Sequence, residues 1–225
     1  MPAILFGSIG SIAETSELQR QAFNQAFKSH GLDWHWPREQ YQKLLVYSGG
    51  EQRIAAWAKD ARVNGGVDAP AIHATKSQIY QTLLSQAGVL PRSGVLDTLR
   101  AAQQHGVKVG LVSATSSDNV TQLISALHPH LQADDFDVMV NSSLIKLRKP
   151  APDAYVYALE KLGLSAQDCI AVEDNEDGLA AAVAAGIGCV AFPGENTVDH
   201  NYSAALGTFS HLQFDDLMAL IPTRR

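Results

Sequence analysis

No apolar run in this chain approaches the roughly 18 to 20 residues that cross a membrane as a helix. A basic surplus is missing as well: 17 Lys and Arg stand against 23 Asp and Glu, a net charge of −6. With no excess of cations to displace counterions from a phosphate backbone, a nucleic-acid partner is excluded, whereas a small anion needs only a few local donors. Cysteine is scarce. Cys169 and Cys189 sit inside the apolar runs "CIAVED" and "GCVAF", where buried free thiols are expected rather than a disulfide. The N-terminus has no charged-then-apolar leader pattern, since Met1-Pro2 runs straight into a core-like strand. The expected setting is cytoplasmic, or an organelle stroma if a transit peptide was removed. With 46% hydrophobic and 18% charged residues, the composition is too apolar for disorder.

Short apolar runs are present, at 3–6 ("AILF"), 107–113 ("VKVGLVS"), 137–140 ("DVMV"), 169–172 ("CIAV") and 188–192 ("GCVAF"). Their length, β-branching and flanking Gly or Asp suit strands buried on both faces of a parallel sheet. Helical patterns such as "GVLDTLRAAQQH" and "APDAYVYALEKLG" separate them, which predicts a doubly wound α/β core. From about 14 to about 88 strand signals disappear. "SELQRQAFNQAFKSHG" places Leu18, Ala22, Phe23, Ala26 and Phe27 on one helical face, with Gly31 beyond its end. "PREQYQKLLVYSGG" predicts a helix from Pro37 to Gly49-Gly50, and "EQRIAAWAKDAR" and "PAIHATKSQIYQTLLSQAG" follow across "NGGVD". An inserted helical cap over the end of the sheet is expected.

Ligands of open α/β sheets bind at the carboxyl ends of the strands, so the residues after each strand define a candidate site. Strand one ends in Gly7-Ser8-Ile9-Gly10-Ser11 and strand two in Ser113-Ala114-Thr115, ahead of a helix whose N-terminal amides favour an anion. "NSSLIKLRKPAPDAY" follows strand three, with Lys149 just before a helix start. "AVEDNEDG" puts Glu173 and Asp174 at the tip of strand four.

A hydroxyl, a lysine and an acidic pair at successive strand ends form a set. With "SELQRQAFNQAF", "GLDWHW", "SGGEQRI", "RSGV", "RKPAPDAYVYAL" and "VEDNEDGLAAAVAAG" in this order, the chain resembles the haloacid dehalogenase (HAD) superfamily. Within it, the resemblance is to the branch of β-phosphoglucomutases and CbbY-type xylulose-1,5-bisphosphate phosphatases, and it covers nearly the whole chain. It implies a HAD-like core at 1–13 and 89–225, a helical cap at 14–88, and phosphoryl transfer through an aspartyl intermediate.

The resemblance also exposes a loss. Where the family carries Asp-x-Asp-Gly, this chain has Gly7-Ser8-Ile9-Gly10. The nucleophile position is Gly7, with no side chain, and the acid/base position is Ile9, which carries no proton. Ser8 should alternate to the other side of the strand, and Ser11 has no evident base to activate it. The family's Mg²⁺ is held by the nucleophile's carboxylate, the second aspartate's carbonyl and a carboxylate after strand four. Only the Ile9 carbonyl and Asp174, with Glu173 beside it, match, so Mg²⁺ binding is expected to be weak or absent. Ser113, Ala114 and Lys149 match a phosphate cradle, although Lys149 could equally pair with Asp174 or Glu173. Gln19 replaces a cap histidine, and Glu51 replaces the lysine that would hold a second phosphate. Glu14 matches an acidic residue that contacts sugar hydroxyls, or else caps a helix. Arg92 and Arg148 are candidates to meet a ligand anion.

Losses at four positions in two separated regions point to drift after chemistry was abandoned. The expected function is therefore a pseudophosphatase that binds a phosphorylated sugar or a protein partner. Two alternatives stand beside it: an active sugar-phosphate phosphatase or mutase with an unrecognised nucleophile, and an interaction protein whose cleft binds nothing. "HPH" at 128–130 lacks further ligands for a metal, and Trp34-His35-Trp36 is expected to be a packing cluster.

Overall fold

The five apolar runs become the five strands of one parallel sheet, in the order β3-β2-β1-β4-β5. The computed structural model describes residues 1–7, 9–47, 49–61 and 66–222. Along the chain, β1 (Ala3–Phe6) is followed by α1 (Ile9–Ile12), α2 (Ser16–Ser29), α3 (Arg38–Leu44), α4 (Gly50–Asp60) and α5 (Ala69–Gln86). Then come α6 (Val95–Gln104), β2 (Lys108–Val112), α7 (Ser117–Leu127), β3 (Val138–Val140) and α8 (Asp153–Leu162). The last elements are β4 (Cys169–Glu173), α9 (Glu176–Ala184), β5 (Gly188–Ala191) and α10 (Phe214–Ala219). Two compact units result, one from Met1–Glu14 with Val89–Arg225 and the other from Thr15–Gly88.

The sheet unit is built on the two-residue period of its strands. Ala3 and Leu5 of β1, Val138 and Val140 of β3, and Cys169 and Ala171 of β4 share one face, packed against Ala154, Tyr155 and Ala158 of α8 and Leu179, Ala181 and Ala182 of α9. The small residues of α9 let its backbone lie close to the sheet. The side chain of Asn175 caps α9 by accepting from Gly178 N at 2.9 Å, and Gly163 ends α8 in the left-handed region at φ 66°. Both cysteines are free and buried, as their apolar surroundings predict. Burial pushes the Cys169 thiol up to about 11 and the Cys189 thiol higher still, which keeps both protonated and inert.

The helical unit has its own core of Phe23, Phe27, Trp36, Tyr41, Leu44, Ile54 and Ile72. The predicted face of α2 buries Ala22, Phe23, Ala26 and Phe27, while Leu18 is only half-buried. Trp36 is the centrepiece, with ring centroids 4.6 Å from Phe27 and 4.9 Å from Phe23. Its neighbour His35 is exposed. Two details differ from the sequence expectation. Pro37 is the cap before α3 and lies outside its first turn, and α3 ends at Leu44, well before the glycine pair. Gly49 and Gly50 instead open α4, because Gly49 at φ 89° adopts a conformation open to glycine but strained for other residues. Asn64 and Gly65 of "NGGVD" lie outside the described residues.

Candidate functional site

The strand order reverses at β1, whose neighbours are β2 on one side and β4 on the other. That switch point is where an open α/β sheet offers a crevice. Gly7 continues β1 past its last residue, with its N–H donating to Val172 O at 2.9 Å. Leu5 is opposite Ala171, so two residues further on Gly7 comes opposite Glu173. By the same period both positions point to the face covered by α8 and α9.

Glu173 occupies the space that a side chain at residue 7 would need. A Cβ built on Gly7 would lie 1.9 Å from Glu173 Oε1 and 2.2 Å from the Tyr155 hydroxyl. On the other side, a Cβ on Gly178 would lie 2.1 Å from Glu173 Oε2. Two glycines thus flank one carboxylate, which is fully buried. Tyr155 donates to Glu173 Oε1 at 2.7 Å, and Lys149 Nζ pairs with the same oxygen at 2.5 Å. Among the described residues, Glu173 Oε2 has no hydrogen-bond partner. Burial raises the Glu173 carboxyl above its ordinary range while the Lys149 ammonium pulls it back, and burial beside that carboxylate holds Tyr155 protonated.

Lys149 is itself buried. An ammonium has three N–H bonds, and here they meet Gly7 O, Val112 O at 2.8 Å and Glu173 Oε1. A phosphate oxygen could reach this ammonium only by displacing one of them. Of the two partners that the sequence leaves open, the lysine takes Glu173. Ser113 is buried nearby and its Oγ accepts from Thr115 N at 3.2 Å; Ala114 lies between them at the end of β2. Arg148 is exposed.

The rest of the strand-tip region is held together by backbone contacts. Ile9 is buried in the single turn of α1. Gly10 faces Asp174, since a Cβ there would fall 1.9 Å from Asp174 Oδ2. Asp174 O accepts from Thr197 Oγ1 at 2.5 Å and from the Tyr202 hydroxyl at 2.6 Å, while Asn175 Nδ2 donates to Asp174 Oδ1 at 2.7 Å. Glu14 Oε2 accepts from Glu195 N at 2.7 Å. Arg92 donates to Gly10 O at 2.8 Å, Phe192 O at 2.7 Å and Pro193 O at 2.6 Å, with its guanidinium 3.5 Å from the centre of the Phe192 ring. Its donors serve the backbone, where the sequence suggested a ligand anion.

In the helical unit, Gln19 accepts a hydrogen bond from the buried Lys76, and Glu51 is exposed in the first turn of α4. His128 and His130 are exposed, and no cluster of three or more His, Cys, Asp or Glu gathers among the described residues.

A family model described as haloacid dehalogenase-like hydrolase matches residues 3–186. The chain belongs to that family. Among curated HAD-like proteins, it is 35% identical over 217 residues to protein CbbY of Cereibacter sphaeroides, with 93% of each chain covered. It is 38% identical over 209 residues to protein CbbY of Rhodobacter capsulatus, with 91% of each covered. The crystal structure of CbbY from Rhodobacter sphaeroides in complex with phosphate matches with a TM-score of 0.85 at 34% identity, covering 94% of this chain and 95% of that one. A mutant of the same protein, in complex with xylulose-(1,5)bisphosphate, matches equally well.

For the Mg²⁺ that HAD-like enzymes use, the donor set here is a poor fit. An octahedral oxygen shell is anchored by carboxylates. Gly7 and Ile9 supply none, Glu173 is committed to Lys149 and Tyr155, and Asp174, which accepts from Asn175 Nδ2, is the one other carboxylate at the tip of β4. The sequence did not single out Tyr155 or Gly178, the two residues that complete the Glu173 socket. Both stand on helices, α8 and α9, so their place beside Glu173 becomes visible only once those helices are packed on the sheet face that Gly7 and Glu173 share.

Proposed function

We propose that this HAD-like, CbbY-related chain is a pseudophosphatase: a protein that binds and does not transfer phosphoryl groups. One observation carries the reading. The place for a side chain at residue 7 is taken by the carboxylate of Glu173, pinned by Lys149 and Tyr155. Glu173 does not serve as a substitute nucleophile, because it is fully buried and already neutralised. Ile9 offers no proton to a leaving group. Loss of a nucleophile alone lowers turnover by about 10⁶, and uncatalysed phosphate-monoester hydrolysis is among the slowest reactions known.

In this reading Mg²⁺ binds weakly or not at all, and the helical unit at 15–88 corresponds to the family's cap. The ligand class is a phosphorylated sugar, supported by the CbbY complex with xylulose-(1,5)bisphosphate; a protein partner is the other candidate. With Lys149 engaged internally, any phosphate at the strand tips relies on Ser113 and backbone amides. A reducing, cytoplasmic setting belongs to the same reading, supported by the two buried free thiols. The test is Mg²⁺-dependent phosphate release from a panel of sugar mono- and bisphosphates by the natural chain. Silence from the natural chain supports the proposal. Release at ordinary enzymatic rates overturns it in favour of a phosphatase or mutase with another nucleophile.

A further inference from the structure

Ser93 and His211 are 118 residues apart in the chain, yet Ser93 Oγ lies 2.7 Å from His211 Nδ1. The backbone draws them together. Leu212 N donates to Ser93 O at 3.1 Å, and Gly94, at φ 80°, lies so close that a Cβ there would fall 2.0 Å from Leu212 O. Leu212 is buried and fixes the segment that carries His211. Both Ser93 and His211 are exposed, so a small molecule reaches them with no movement of the chain.

A serine hydroxyl is a weak nucleophile until an adjacent base takes its proton. With the ring proton on Nε2, His211 Nδ1 is an acceptor within the reach that a general base requires. The helical unit offers a contrast. Thr75 Oγ1 also meets an imidazole, His30 Nε2 at 2.8 Å, but its hydroxyl donates to Ala71 O at 3.1 Å. No such carbonyl takes the Ser93 hydroxyl among the described residues. Directly after Ser93, the cap of α6 is Gly94, which has no side chain to cover the first amides. The N–H groups of Leu96 and Asp97 meet no acceptor among the described residues, and free donors of this kind stabilise a developing oxyanion.

We infer that Ser93 and His211 form a nucleophile–base dyad that takes a short acyl group from an ester and passes it to water. Ser93 Oγ attacks the carbonyl carbon as its proton moves to His211 Nδ1. The bond from that carbon to the alcohol oxygen then breaks, and the alcohol leaves with the proton. Water attacks the acyl-serine, gives a proton to Nδ1, and releases the carboxylic acid as that proton returns to Ser93 Oγ. Ester plus water gives acid plus alcohol, with no oxidant or reductant. An exposed pair has little wall to hold a long chain, so the acyl group is a short one. The dyad stands apart from the lost phosphoryl transfer and is read on its own serine, so either reading can fail without the other.

The experiment incubates the full chain near neutral pH with p-nitrophenyl acetate, quenches in acid, and maps acetylated residues by peptide mass spectrometry. The expected result is acetyl-Ser93 forming about tenfold or more faster than the ester at Ser203 or Ser210, both exposed, since a positioned general base contributes about 10²-fold or more. His211→Gln keeps an acceptor beside the hydroxyl and removes the base, so it should slow Ser93 acetylation about tenfold or more with an unchanged urea midpoint. Ser93→Ala should lose the fast acetylation altogether. Should a variant not fold, the comparison of serines in the natural chain decides alone. Acetylation of Ser93 no faster than at Ser203 and Ser210, or equally fast in a folded His211→Gln, reduces the pair to a surface hydrogen bond and overturns the inference.

Discussion

Placing an aspartate at residue 7 should destabilise this protein rather than restore an enzyme. The new Cβ would fall 1.9 Å from Glu173 Oε1 and 2.2 Å from the Tyr155 hydroxyl, so the Glu173 side chain must leave its socket. Gly178 closes the opposite side, which leaves it little room to move within the core. Displacement breaks the Lys149–Glu173 pair, and breaking a buried pair costs about 3–5 kcal/mol. Overpacking adds about 1–3 kcal/mol. Gly7→Asp is therefore expected to cost about 4–8 kcal/mol, comparable to the whole stability of an ordinary domain. Adding Glu173→Ala should recover part of this, since the new carboxylate could then take Lys149 itself. The assay is urea unfolding of the natural chain, both single variants and the double variant. A favourable coupling of at least about 2 kcal/mol is expected, in the range measured for contacting residues. If Gly7→Asp unfolds at the same urea concentration as the natural chain, the socket argument is wrong.

Other outcomes follow from the same contacts. Lys149→Met strands a buried carboxylate and should cost about 3–5 kcal/mol in urea unfolding. Lys149→Met/Glu173→Gln should cost less than Lys149→Met alone. Arg92→Lys keeps the charge and loses the forked geometry that serves Gly10, Phe192 and Pro193; a loss of about 2–4 kcal/mol, from two or more charged hydrogen bonds, should appear as a lower melting temperature. Lys76 falls from 10.5 in the unfolded chain to about 7 when folded. The unfolded state therefore binds more protons between those values, and stability should rise with pH through that window by up to about 1.4 kcal/mol per pH unit. Lys76→Met should flatten this slope between about pH 7.5 and about pH 9.5, as read from urea midpoints at each pH.

Much of the sheet unit is legible in the sequence, because strands buried on both faces announce themselves as short β-branched runs. "CIAV" and "AILF" fall within one residue of the observed strands, and the aromatic cluster around Trp36 follows from helical spacing in "SELQRQAF". Glycine pairs are less informative: Gly49-Gly50 suits a helix end as well as a helix start, and only the φ of Gly49 separates them. Family resemblance names candidate site residues, but their contacts are not legible in it. Whether Lys149 meets a ligand or Glu173 depends on the β1–β4 register, which brings Gly7 opposite Glu173, and on Tyr155 arriving from α8. The β1–β4 pairing joins segments more than a hundred residues apart along the chain, the Tyr155–Glu173 contact spans 18 residues, and no local pattern encodes either. Arg92 illustrates the same limit, since an arginine in a loop has no sequence mark showing that three carbonyls await it.

The measurement that tests the central claim most directly is the rate of Mg²⁺-dependent phosphate release from sugar bisphosphates by the natural chain at high protein concentration. The account predicts no release above the uncatalysed background and no phosphorylated protein by intact mass. Turnover of about 1 s⁻¹ or faster, the ordinary range for enzymes, would contradict it.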